Sequence, residues 1–470
     1  MANPHYDLVV IGSGPGGYVA AIRASQLKMK VAVVERDSPG GVCLNWGCIP
    51  SKALLSSAEA METVRGAAKE HGIEVGEVRV DFKRVIARSR VAATKLSRGV
   101  RFLLRKNHVD LYEAEGRLGG PHTVELAKSP VYPAPSVSAI EADRILLATG
   151  STERLLPGMT VGNGVLTSRE ALEYDQLPKR VVIVGAGAIG LEFGYFYRAF
   201  GTEVTIVELE SQMLPGCDAE VAEEVRRAFT KRGVKTLLNH GYRAIERDAG
   251  ALTVVVESAG AQQRLAAEAV LVAVGRRPLS ANLNLESAGV ELGRGGWVNV
   301  NESFQTTCPS VYAIGDLCRP PLLAHKASAE GIAAVEMMAG VREPGFDLAN
   351  VPTCIYCEPE VAMVGISEQV ASERGLDVKV GKFPLRANGK AVAVNEVEGF
   401  VKIVATREFG EVVGCQIVGP HATDLISEVV LGRALETTAA EIGRAIHPHP
   451  TFSEAIMEAA LAAEGEAINI

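Results

Sequence analysis

Two stretches of the chain share one order of apolar and polar positions. Residues 8–17 read LVVIGSGPGG, and residues 181–190 read VVIVGAGAIG. Each begins with a continuous apolar run, which is typical of a strand buried on both faces of a parallel sheet, and continues into glycines and a helical stretch. A second apolar strand follows in each copy and ends in an acid, Glu35 or Glu208. The pattern therefore predicts two βαβ units.

The glycines of both copies have the spacing G-x-G-x-x-G, and each acid comes 18 residues after the third glycine. Glycine permits a tight turn and lets a pyrophosphate approach the backbone, while the helix N-terminus offers free N–H groups. An acid about 20 residues further on accepts a ribose hydroxyl. One such motif arises by chance, but here strand, helix, second strand and acid occur together twice. The sequence predicts two dinucleotide sites, with the glycines Gly12, Gly14, Gly17, Gly185, Gly187 and Gly190.

The second acid bears on the choice of nucleotide. Glu208 would accept a ribose 2′-hydroxyl and repel a 2′-phosphate, and the following Leu209 and Glu210 offer no arginine to neutralise one. A glycine rather than an alanine at position 190 agrees with this choice. NAD is therefore the expected nucleotide of the second unit.

The rest of the pattern completes an α/β chain. Residues 55–110 are typical of helices, and residues 119–140, rich in Gly and Pro, indicate a small antiparallel excursion. From about residue 347, strands and helices alternate without a glycine fingerprint. We expect two Rossmann-like units and a further C-terminal unit, with the chain divided into residues 1–150, 151–276, 277–346 and 347–470.

Composition and charge restrict the class of protein. The chain has 470 residues and a formal net charge of −8, which disfavours a nucleic-acid partner because phosphate binding needs a basic face. Eight cysteines in a chain of this length do not indicate a secreted disulfide scaffold. No apolar run reaches the roughly 18 residues of a membrane span, and the N-terminus lacks the basic and apolar regions of a signal peptide. We expect a cytoplasmic protein without a membrane partner.

Two cysteines stand in the segment GGVCLNWGCIPSK, residues 40–52. Cys43 and Cys48 are five positions apart, which on a regular helix separates them by about 7.5 Å along the axis. That exceeds the roughly 7 Å that a disulfide bridges. If they bond, the backbone must be distorted, and Gly47 is the residue that would permit it. A strained, exposed disulfide is easily reduced and favours a catalytic role. Two unrelated buried thiols are the alternative, which this spacing alone leaves open.

The same segment resembles the redox-active segment of the flavoprotein disulfide reductases. The resemblance runs the whole length of the chain and includes ATG at 148–150, AVGRRP at 273–278, AIGD at 313–316, LAHKA at 323–327 and HPHPTFSE at 447–454. It implies an FAD-binding domain, an NAD-binding domain, a central domain that completes the FAD site and a C-terminal α+β dimerisation domain. It also implies oxidation of protein-bound dihydrolipoamide through a Cys43–Cys48 disulfide and FAD, with a hydride passed to NAD⁺.

The resemblance assigns roles to six catalytic residues. His449 would deprotonate the substrate dithiol, which would attack Cys43 and release Cys48 as a thiolate facing the flavin. The remaining three would support these groups: Glu454 would orient His449, and Glu192 would pair with Lys52 beside the flavin.

The resemblance also assigns the cofactor residues. Glu35 would hold the adenosine ribose of FAD, and Asp316 would bind the ribityl and pyrophosphate region. The FAD residues would be Gly12, Gly14, Gly17, Glu35, Lys52, Gly116, Thr149, Gly150, Asp316 and Ala324. The NAD residues would be Gly185, Gly187, Gly190, Glu208, Gly275 and Arg276.

The partners follow from the same resemblance. A homodimer would share its active sites, so that His449 of the partner subunit would serve the cysteines of each chain. The substrate would be the lipoyl domain of the acyltransferase (E2) of a 2-oxo acid dehydrogenase complex, or the H protein of glycine cleavage. The peripheral-subunit-binding domain of E2 would also bind the enzyme.

Two motifs have a second interpretation. Thr451 to Glu454 can act as a capping box that starts the last helix without any catalytic role. Cys354 and Cys357 form a C-x-x-C that the family usually lacks. On the strand expected there, positions three apart point to opposite faces, and no zinc-binding partner motif lies nearby. We therefore expect two buried thiols and no metal site.

Two further positions depart from the family pattern. Val42 stands where a threonine is common, and Trp46 stands where a small aliphatic residue is common. Two alternatives to the function stay open at this stage. One is a reductase of the same family with a different disulfide substrate. The other is a non-catalytic flavoprotein subunit, which would need none of the residues Cys43, Cys48, Lys52, His449 and Glu454.

Overall fold

The computed structural model describes residues 3–248 and 251–470. The strands of these residues are β1 (His5–Ile11), β2 (Val31–Glu35), β3 (Asp110–Glu113), β4 (Glu115–Gly120), β5 (Thr123–Ala127), β6 (Ala139–Leu147), β7 (Ser151–Glu153), β8 (Val165–Leu166), β9 (Arg180–Val184), β10 (Glu203–Val207), β11 (Lys235–Leu237), β12 (Gly241–Asp248), β13 (Ala251–Ser258), β14 (Ala261–Ala267), β15 (Ala269–Val272), β16 (Arg276–Pro278), β17 (Val311–Ala313), β18 (Thr353–Ile355), β19 (Val361–Gly365), β20 (Val378–Pro384), β21 (Phe400–Thr406) and β22 (Val412–Val418).

The α-helices of the same residues are α1 (Pro15–Gln26), α2 (Gly41–Trp46), α3 (Cys48–Glu62), α4 (Ala68–Glu70), α5 (Phe82–Lys106), α6 (Ser168–Ala171), α7 (Ala188–Ala199), α8 (Ala219–Lys231), α9 (Ala324–Met338), α10 (Glu368–Glu373), α11 (Gly389–Val394), α12 (Ala422–Ala434), α13 (Ala439–Arg444) and α14 (Glu454–Glu464). A π-helical turn, Thr63–Ala67, joins α3 to α4, and short 3₁₀ turns lie at Leu285–Ala288, Arg294–Gly296, Gly315–Leu317, Leu348–Asn350 and Leu385–Ala387. None of the helices in this described part combines the length and the apolar character that crossing a bilayer takes.

The first sheet has the order β3-β2-β1-β6, all parallel, with β17 also parallel to β6. Strands β5 and β4 extend it in antiparallel fashion, as the Gly- and Pro-rich residues 119–140 predict. Strand β2 is buried along its whole length, because helices cover both faces of a parallel sheet. This sheet with α1, α2, α3, α5 and α9 is called the first lobe below.

The second sheet has the order β11-β10-β9-β15-β8 and is parallel throughout. Helix α7 follows β9 and is buried on nearly every side, because its aromatic residues pack against Phe82 of α5. One hydrophobic core thereby joins α3 and α5 to α7. This sheet with α6, α7 and α8 is called the second lobe.

The C-terminal residues form an antiparallel sheet of the order β18-β19-β22-β21-β20. Its buried side chains share one core with residues of α12, α13 and α14. The architecture is the expected one, with two parallel α/β units and a C-terminal α+β unit. The boundaries at residues 150, 276 and 346 stay predictions.

Candidate active site

The cysteine segment is a helix broken between its two thiols. Helix α2 ends at Trp46, and α3 begins at Cys48. Gly47 between them leaves the helical region, with φ −146° and ψ −118°. This is the distortion that the spacing of Cys43 and Cys48 predicts. It brings the two thiols within hydrogen-bonding reach of each other, and both are partly accessible.

The two thiols have opposite acidities. The hydrogen bond from Cys43 lowers the pKa of Cys48, and the charge of Lys52 lowers it further against the effect of burial. The same hydrogen bond, together with burial and the charge on Cys48, raises the pKa of Cys43. In the reduced pair, Cys48 is therefore the more acidic thiol, and Cys43 is the thiol that keeps its proton more strongly. The thiolate is the reactive form of cysteine.

Lys52 lies one turn after Cys48 on α3 and reaches the second lobe. Its ammonium donates to both carboxylate oxygens of Glu192 on α7, at 2.9 and 3.0 Å. It also lies over the ring of Tyr356, 4.1 Å from the centroid. The backbone N–H of Tyr356 in turn donates to Oε1 of Glu192 at 3.2 Å. The cysteine segment, the second lobe and the C-terminal unit thus meet at one ammonium group.

Tyr356 is absent from the sequence-based site residues. It lies in the middle of the C-x-x-C segment, where the pattern indicates only a strand. Burial raises the pKa of its phenol to about 12, so it stays protonated at neutral pH. Nothing in the local sequence signals its contact with Lys52, because the two residues are brought together only by tertiary folding.

The C-terminal histidine and glutamate form a second cluster. Nδ1 of His449 lies 2.8 Å from Oε1 of Glu454. The other oxygen, Oε2, accepts the backbone N–H of Thr451, also at 2.8 Å. Burial raises the pKa of Glu454, but these two hydrogen bonds outweigh that effect and lower the pKa below its usual value. The carboxylate of Glu454 therefore agrees with both sequence interpretations. It accepts a backbone N–H in the turn before α14, as in a capping role, and it also contacts the histidine, as an orienting residue would.

The two histidines of this segment differ in exposure. The side chain of His449 is 76% exposed, so its Nε2 is open to an incoming group. His447 is 6% exposed and bonds Glu428 through Nε2 at 2.8 Å, which raises its pKa. Only His449 has the accessibility that a base acting on an external thiol needs.

The two glycine turns have the same internal geometry. The backbone N–H after the first glycine donates to the acid at the end of the second strand: Ser13 to Glu35 at 2.8 Å, and Ala186 to Glu208 at 2.7 Å. A Cβ on the third glycine would lie 1.9 Å from the carbonyl oxygen of Gly12 in one copy and 2.0 Å from that of Gly185 in the other. The first and third glycines are therefore required by the turn itself.

The second glycine of each turn faces open space. A Cβ on Gly14 or on Gly187 would meet nothing within 4 Å. These two residues are the N-caps of α1 and α7, and neither helix has a side-chain cap. Each lobe therefore fits a dinucleotide. The helix start offers unsatisfied N–H groups to an open space, and a carboxylate lies at the neighbouring strand end.

The other predicted FAD residues follow strands β6 and β17, begin α9 or lie on β4. Oδ2 of Asp316 accepts the hydroxyl of Ser151 at 2.7 Å, and Thr149 donates its hydroxyl to the carbonyl of Leu279 at 2.9 Å. Ala324 is the first residue of α9, whose N-terminus also has no side-chain cap. Gly116 and Gly150 differ: a Cβ on Gly116 would meet the side chain of Val34 at 2.9 Å, whereas Gly150 has a φ of 74° and open surroundings.

Arg276 has contacts inside the protein that the sequence does not predict. Its guanidinium donates to the hydroxyl and the carbonyl of Ser151, at 2.8 Å each, and to Glu153 at 3.3 Å. The neighbouring Gly275 has a φ of 99° and nothing within 4 Å of a Cβ. Their assignment to NAD stays a prediction, and so do the roles of the other cofactor residues.

Cys354 and Cys357 do not meet. Each sulfur faces a different backbone carbonyl, that of Thr423 at 4.0 Å and that of Pro359 at 3.3 Å. Burial raises the pKa of Cys354 to about 11 and raises that of Cys357 as well, so both are inert thiols at neutral pH. Within the described residues, no group of three or more His, Cys, Asp or Glu side chains has the arrangement of a metal site.

Comparisons with known proteins give the same fold along the whole chain. The chain is similar to dihydrolipoyl dehydrogenases of Rhizobium etli, at 43% identity, and of Bacillus subtilis, at 42%, with 99% of each chain covered in both cases. Among solved structures it is similar to LpdA of Mycobacterium tuberculosis, with a TM-score of 0.90 and 28% identity over 97% of this chain and 99% of that one. It is also similar to the HOCl-induced flavoprotein disulfide reductase RclA of Escherichia coli, with a TM-score of 0.86 and 26% identity over 98% and 99%.

Two family models match separate parts of the chain. Residues 6–331 match the model of pyridine nucleotide-disulphide oxidoreductases, and residues 351–460 match the dimerisation domain of the same proteins. The second match lies on the C-terminal α+β unit, which agrees with a homodimer. The chain belongs to the pyridine nucleotide-disulphide oxidoreductase family.

Proposed function

We propose that this protein is a dihydrolipoyl dehydrogenase, which oxidises a protein-bound dihydrolipoyl group and reduces NAD⁺. The observation that carries the proposal is the broken helix with its hydrogen-bonded Cys43 and Cys48 beside the ion pair of Lys52 and Glu192. Full-length relatives named for this activity, at about 42% identity, support the choice of substrate.

The proposed cofactors are FAD in the first lobe and NAD in the second. The residues fit two dinucleotides because each lobe offers an uncapped helix N-terminus, an open second glycine and a carboxylate at a strand end. FAD, when bound, accepts two electrons from the cysteine pair and passes them on as a hydride. In the second lobe, the carboxylate of Glu208 favours NAD over NADP because it repels a 2′-phosphate.

The sulfur chemistry needs a base and a leaving thiolate. Glu454 holds Nδ1 of His449, so Nε2 takes the proton from one substrate thiol. The resulting thiolate attacks the sulfur of Cys43, a mixed disulfide forms, and the bond between Cys43 and Cys48 breaks. Cys48 leaves with the electron pair as a thiolate, which the charge of Lys52 favours. The hydrogen bond from Cys43 stabilises this thiolate only after Cys43 has been released as a thiol.

The second substrate thiol completes the exchange. It attacks the mixed disulfide at the substrate sulfur, closes the lipoyl ring and releases Cys43, which takes up a proton. The substrate has then lost two electrons and two protons, and the cysteine pair has gained two electrons. The high pKa of Cys43 favours the neutral thiol at this point.

The proposed assembly is a homodimer in which His449 of the partner subunit serves the cysteines of each chain. The large exposure of His449 on a single chain supports this arrangement. The proposed substrates are the lipoyl domain of E2 or the glycine-cleavage H protein, and the proposed docking partner is the peripheral-subunit-binding domain of E2. The cytoplasmic location stays a prediction from the sequence.

The two alternatives are less well supported. A non-catalytic flavoprotein subunit has no use for a perturbed thiol pair, an exposed histidine or a carboxylate held against that histidine. A reductase acting on another disulfide is less favoured because the full-length relatives named dihydrolipoyl dehydrogenase are 42–43% identical to this chain, against 26% for the disulfide reductase RclA.

The proposal is tested by NAD⁺ reduction with free dihydrolipoamide and the purified flavin-loaded protein, beside NADP⁺. We expect rapid turnover with NAD⁺, little with NADP⁺, and loss of turnover in Cys43→Ser and Cys48→Ser. Cys357→Ser is the matched control, because this buried thiol faces a carbonyl and should leave turnover unchanged. Flavin binding without any oxidation of dihydrolipoamide would overturn the proposed substrate.

A further inference from the structure

The redox segment has a second contact with the second lobe, before Cys48 in the sequence, whereas Lys52 follows Cys48. Trp46 ends α2 two residues before Cys48, and its ring lies against the core that joins the lobes. The guanidinium carbon of Arg169 lies 3.8 Å from the centroid of this ring. Arg169 belongs to α6, next to strand β8 of the second sheet.

Arg169 also contacts a second point of the first lobe. Its Nη2 lies 3.3 Å from Oδ2 of Asp37. The backbone N–H of Asp37 donates to Oε1 of Glu35 at 2.8 Å, so this loop also positions the carboxylate of the first glycine turn. The guanidinium of Arg169 therefore connects the second lobe to the redox segment and to the loop after β2 that contains Asp37.

The position of Arg169 is fixed by its own short helix. Thr167 caps α6, and Glu170 bonds back to both the N–H and the hydroxyl of Thr167, which completes a capping box. A guanidinium stacks on an aromatic ring better than an ammonium does, and tryptophan is the best partner ring. The pair therefore has the geometry of a cation–π contact with a fixed arginine, although about half of the arginine side chain is exposed.

Two ties from the second lobe thus flank Cys48. The ion pair of Lys52 with Glu192 lies after it, and the stacking of Arg169 on Trp46 lies before it. The hydrophobic core already joins α3 to α7, and the two polar contacts add a defined orientation of the segment before and after Cys48. The nicotinamide held by the second lobe and the cysteines must both reach one flavin, so this orientation matters for the reaction.

We propose that Trp46 and Arg169 form a positioning clamp that holds the second lobe against the redox segment and so sets the rate of hydride transfer between nicotinamide and flavin. This inference rests on the proposed function only in its use of FAD and NAD. The two residues exchange no electrons and no proton. They act by holding the lobes in place.

The clamp is first tested by the fluorescence of Trp46. The chain has two tryptophans, so Trp297→Phe leaves Trp46 as the single emitter. In that background, we expect Arg169→Ala to shift the emission to longer wavelength and to increase its quenching by acrylamide. Arg243→Ala, which breaks an exposed ion pair with Glu257 within one hairpin, is the matched control and should change neither. Unchanged emission and quenching in Arg169→Ala would overturn the clamp.

The second test separates positioning from nucleotide binding. NADH is mixed rapidly with the oxidised flavin-loaded protein, and flavin reduction is followed against NADH concentration. We expect Arg169→Ala and Trp46→Leu to lower the limiting rate about two- to fivefold, the factor that corresponds to an exposed cation–π contact, with the Kd for NADH unchanged. Trp46→Phe keeps an aromatic face and should recover most of the rate. Arg169→Lys keeps the pairing with Asp37 but loses the planar stacking of the guanidinium, and should recover less.

The outcomes distinguish the clamp from the proposed function. NADH reduces the flavin in this assay without any dihydrolipoamide, so a wild-type protein inactive towards dihydrolipoamide would refute the proposed substrate and still report on the clamp. A limiting rate that is unchanged in both Arg169→Ala and Trp46→Leu would refute the clamp, whatever the substrate. A weaker NADH affinity with an unchanged limiting rate would also contradict it.

Discussion

At the scale of single residues, the acidity of Cys48 depends on its two neighbours. The hydrogen bond from Cys43 and the positive charge of Lys52 both lower its pKa. Removing the charge in Lys52→Met should raise the pKa, because the thiolate loses an electrostatic partner while the hydrogen bond stays. The rate of iodoacetamide alkylation of Cys48 in the reduced protein, followed by mass spectrometry against pH, should then reach its midpoint at higher pH than in the wild type.

A control for this measurement is available in another lysine. Lys379 pairs with Glu464 at 2.7 Å in the C-terminal unit, so Lys379→Met removes a charge of the same kind without touching α3. It should leave the alkylation midpoint of Cys48 in place. An equal midpoint in Lys52→Met and in the wild type would refute the assigned cause of the acidity.

The pair of His449 and Glu454 gives a second prediction at this scale. In Glu454→Gln, the amide oxygen can still accept the N–H of Thr451, but the side chain no longer stabilises a protonated imidazole. We expect kcat for dihydrolipoamide oxidation to fall about 10²-fold or more, as for the loss of an oriented general base, with little change in the thermal unfolding midpoint.

Glu428→Gln is the matched control, because Glu428 bonds His447 at the same 2.8 Å in the same segment. It should lower kcat far less than Glu454→Gln does. Equal losses in the two variants would mean that the segment needs its hydrogen bonds for structure alone, and would remove the assignment of His449 as the base.

At the scale of elements, the glycine turns contain two kinds of glycine. The third glycine is required by packing within the turn, whereas the second leaves space for a ligand. Gly190→Ala would place a Cβ 2.0 Å from the carbonyl oxygen of Gly185, so β9 and α7 would have to move apart. We expect a lower thermal unfolding midpoint, corresponding to about 1–3 kcal/mol of overpacking. Gly187→Ala meets nothing within 4 Å and should leave that midpoint unchanged while it weakens NAD⁺ binding, measured by titration calorimetry. Equal losses of stability in both variants would contradict this division.

The elements that the sequence predicts best are those set by local physics. The strand, glycine turn, helix and acid of both βαβ units are read from neighbouring residues, and so is the break at Gly47. The expectation of helices over residues 55–110 is right for α3 and α5 but wrong for residues 71–81, which form no helix. That stretch contains glycines and several β-branched residues, which lower helix propensity.

Contacts between distant elements lie beyond such reasoning. Three contacts depend on how the lobes and the C-terminal unit pack: the cation–π contact of Lys52 with Tyr356, the hydrogen bonds of Arg276 with Ser151 and Glu153, and the stacking of Arg169 on Trp46. The contact of Lys52 with Glu192 is expected only because the resemblance to a known family supplies it. Periodicity and propensity do not describe such pairs, because the two residues of each pair are more than one hundred positions apart in the sequence.

At the scale of the whole molecule, the site is divided between two parts of the chain. The cysteine pair lies on α2 and α3 of the first lobe, whereas His449 and Glu454 lie on the C-terminal unit, which matches the family's dimerisation domain. His449 is largely exposed on a single chain. The central claim is that the cysteines of one chain and His449 of the partner subunit make one dihydrolipoamide site.

Subunit mixing tests this claim most directly. Cys43→Ser chains and His449→Gln chains, each inactive as homodimers, are unfolded together, refolded with FAD in equal amounts and assayed for NAD⁺ reduction by dihydrolipoamide. Random pairing in a two-fold dimer leaves one intact site in half of the dimers, so we predict recovery of about a quarter of wild-type activity. Refolded wild-type protein serves as the reference. No recovery in mixtures that contain the mixed dimer by mass spectrometry would contradict the account.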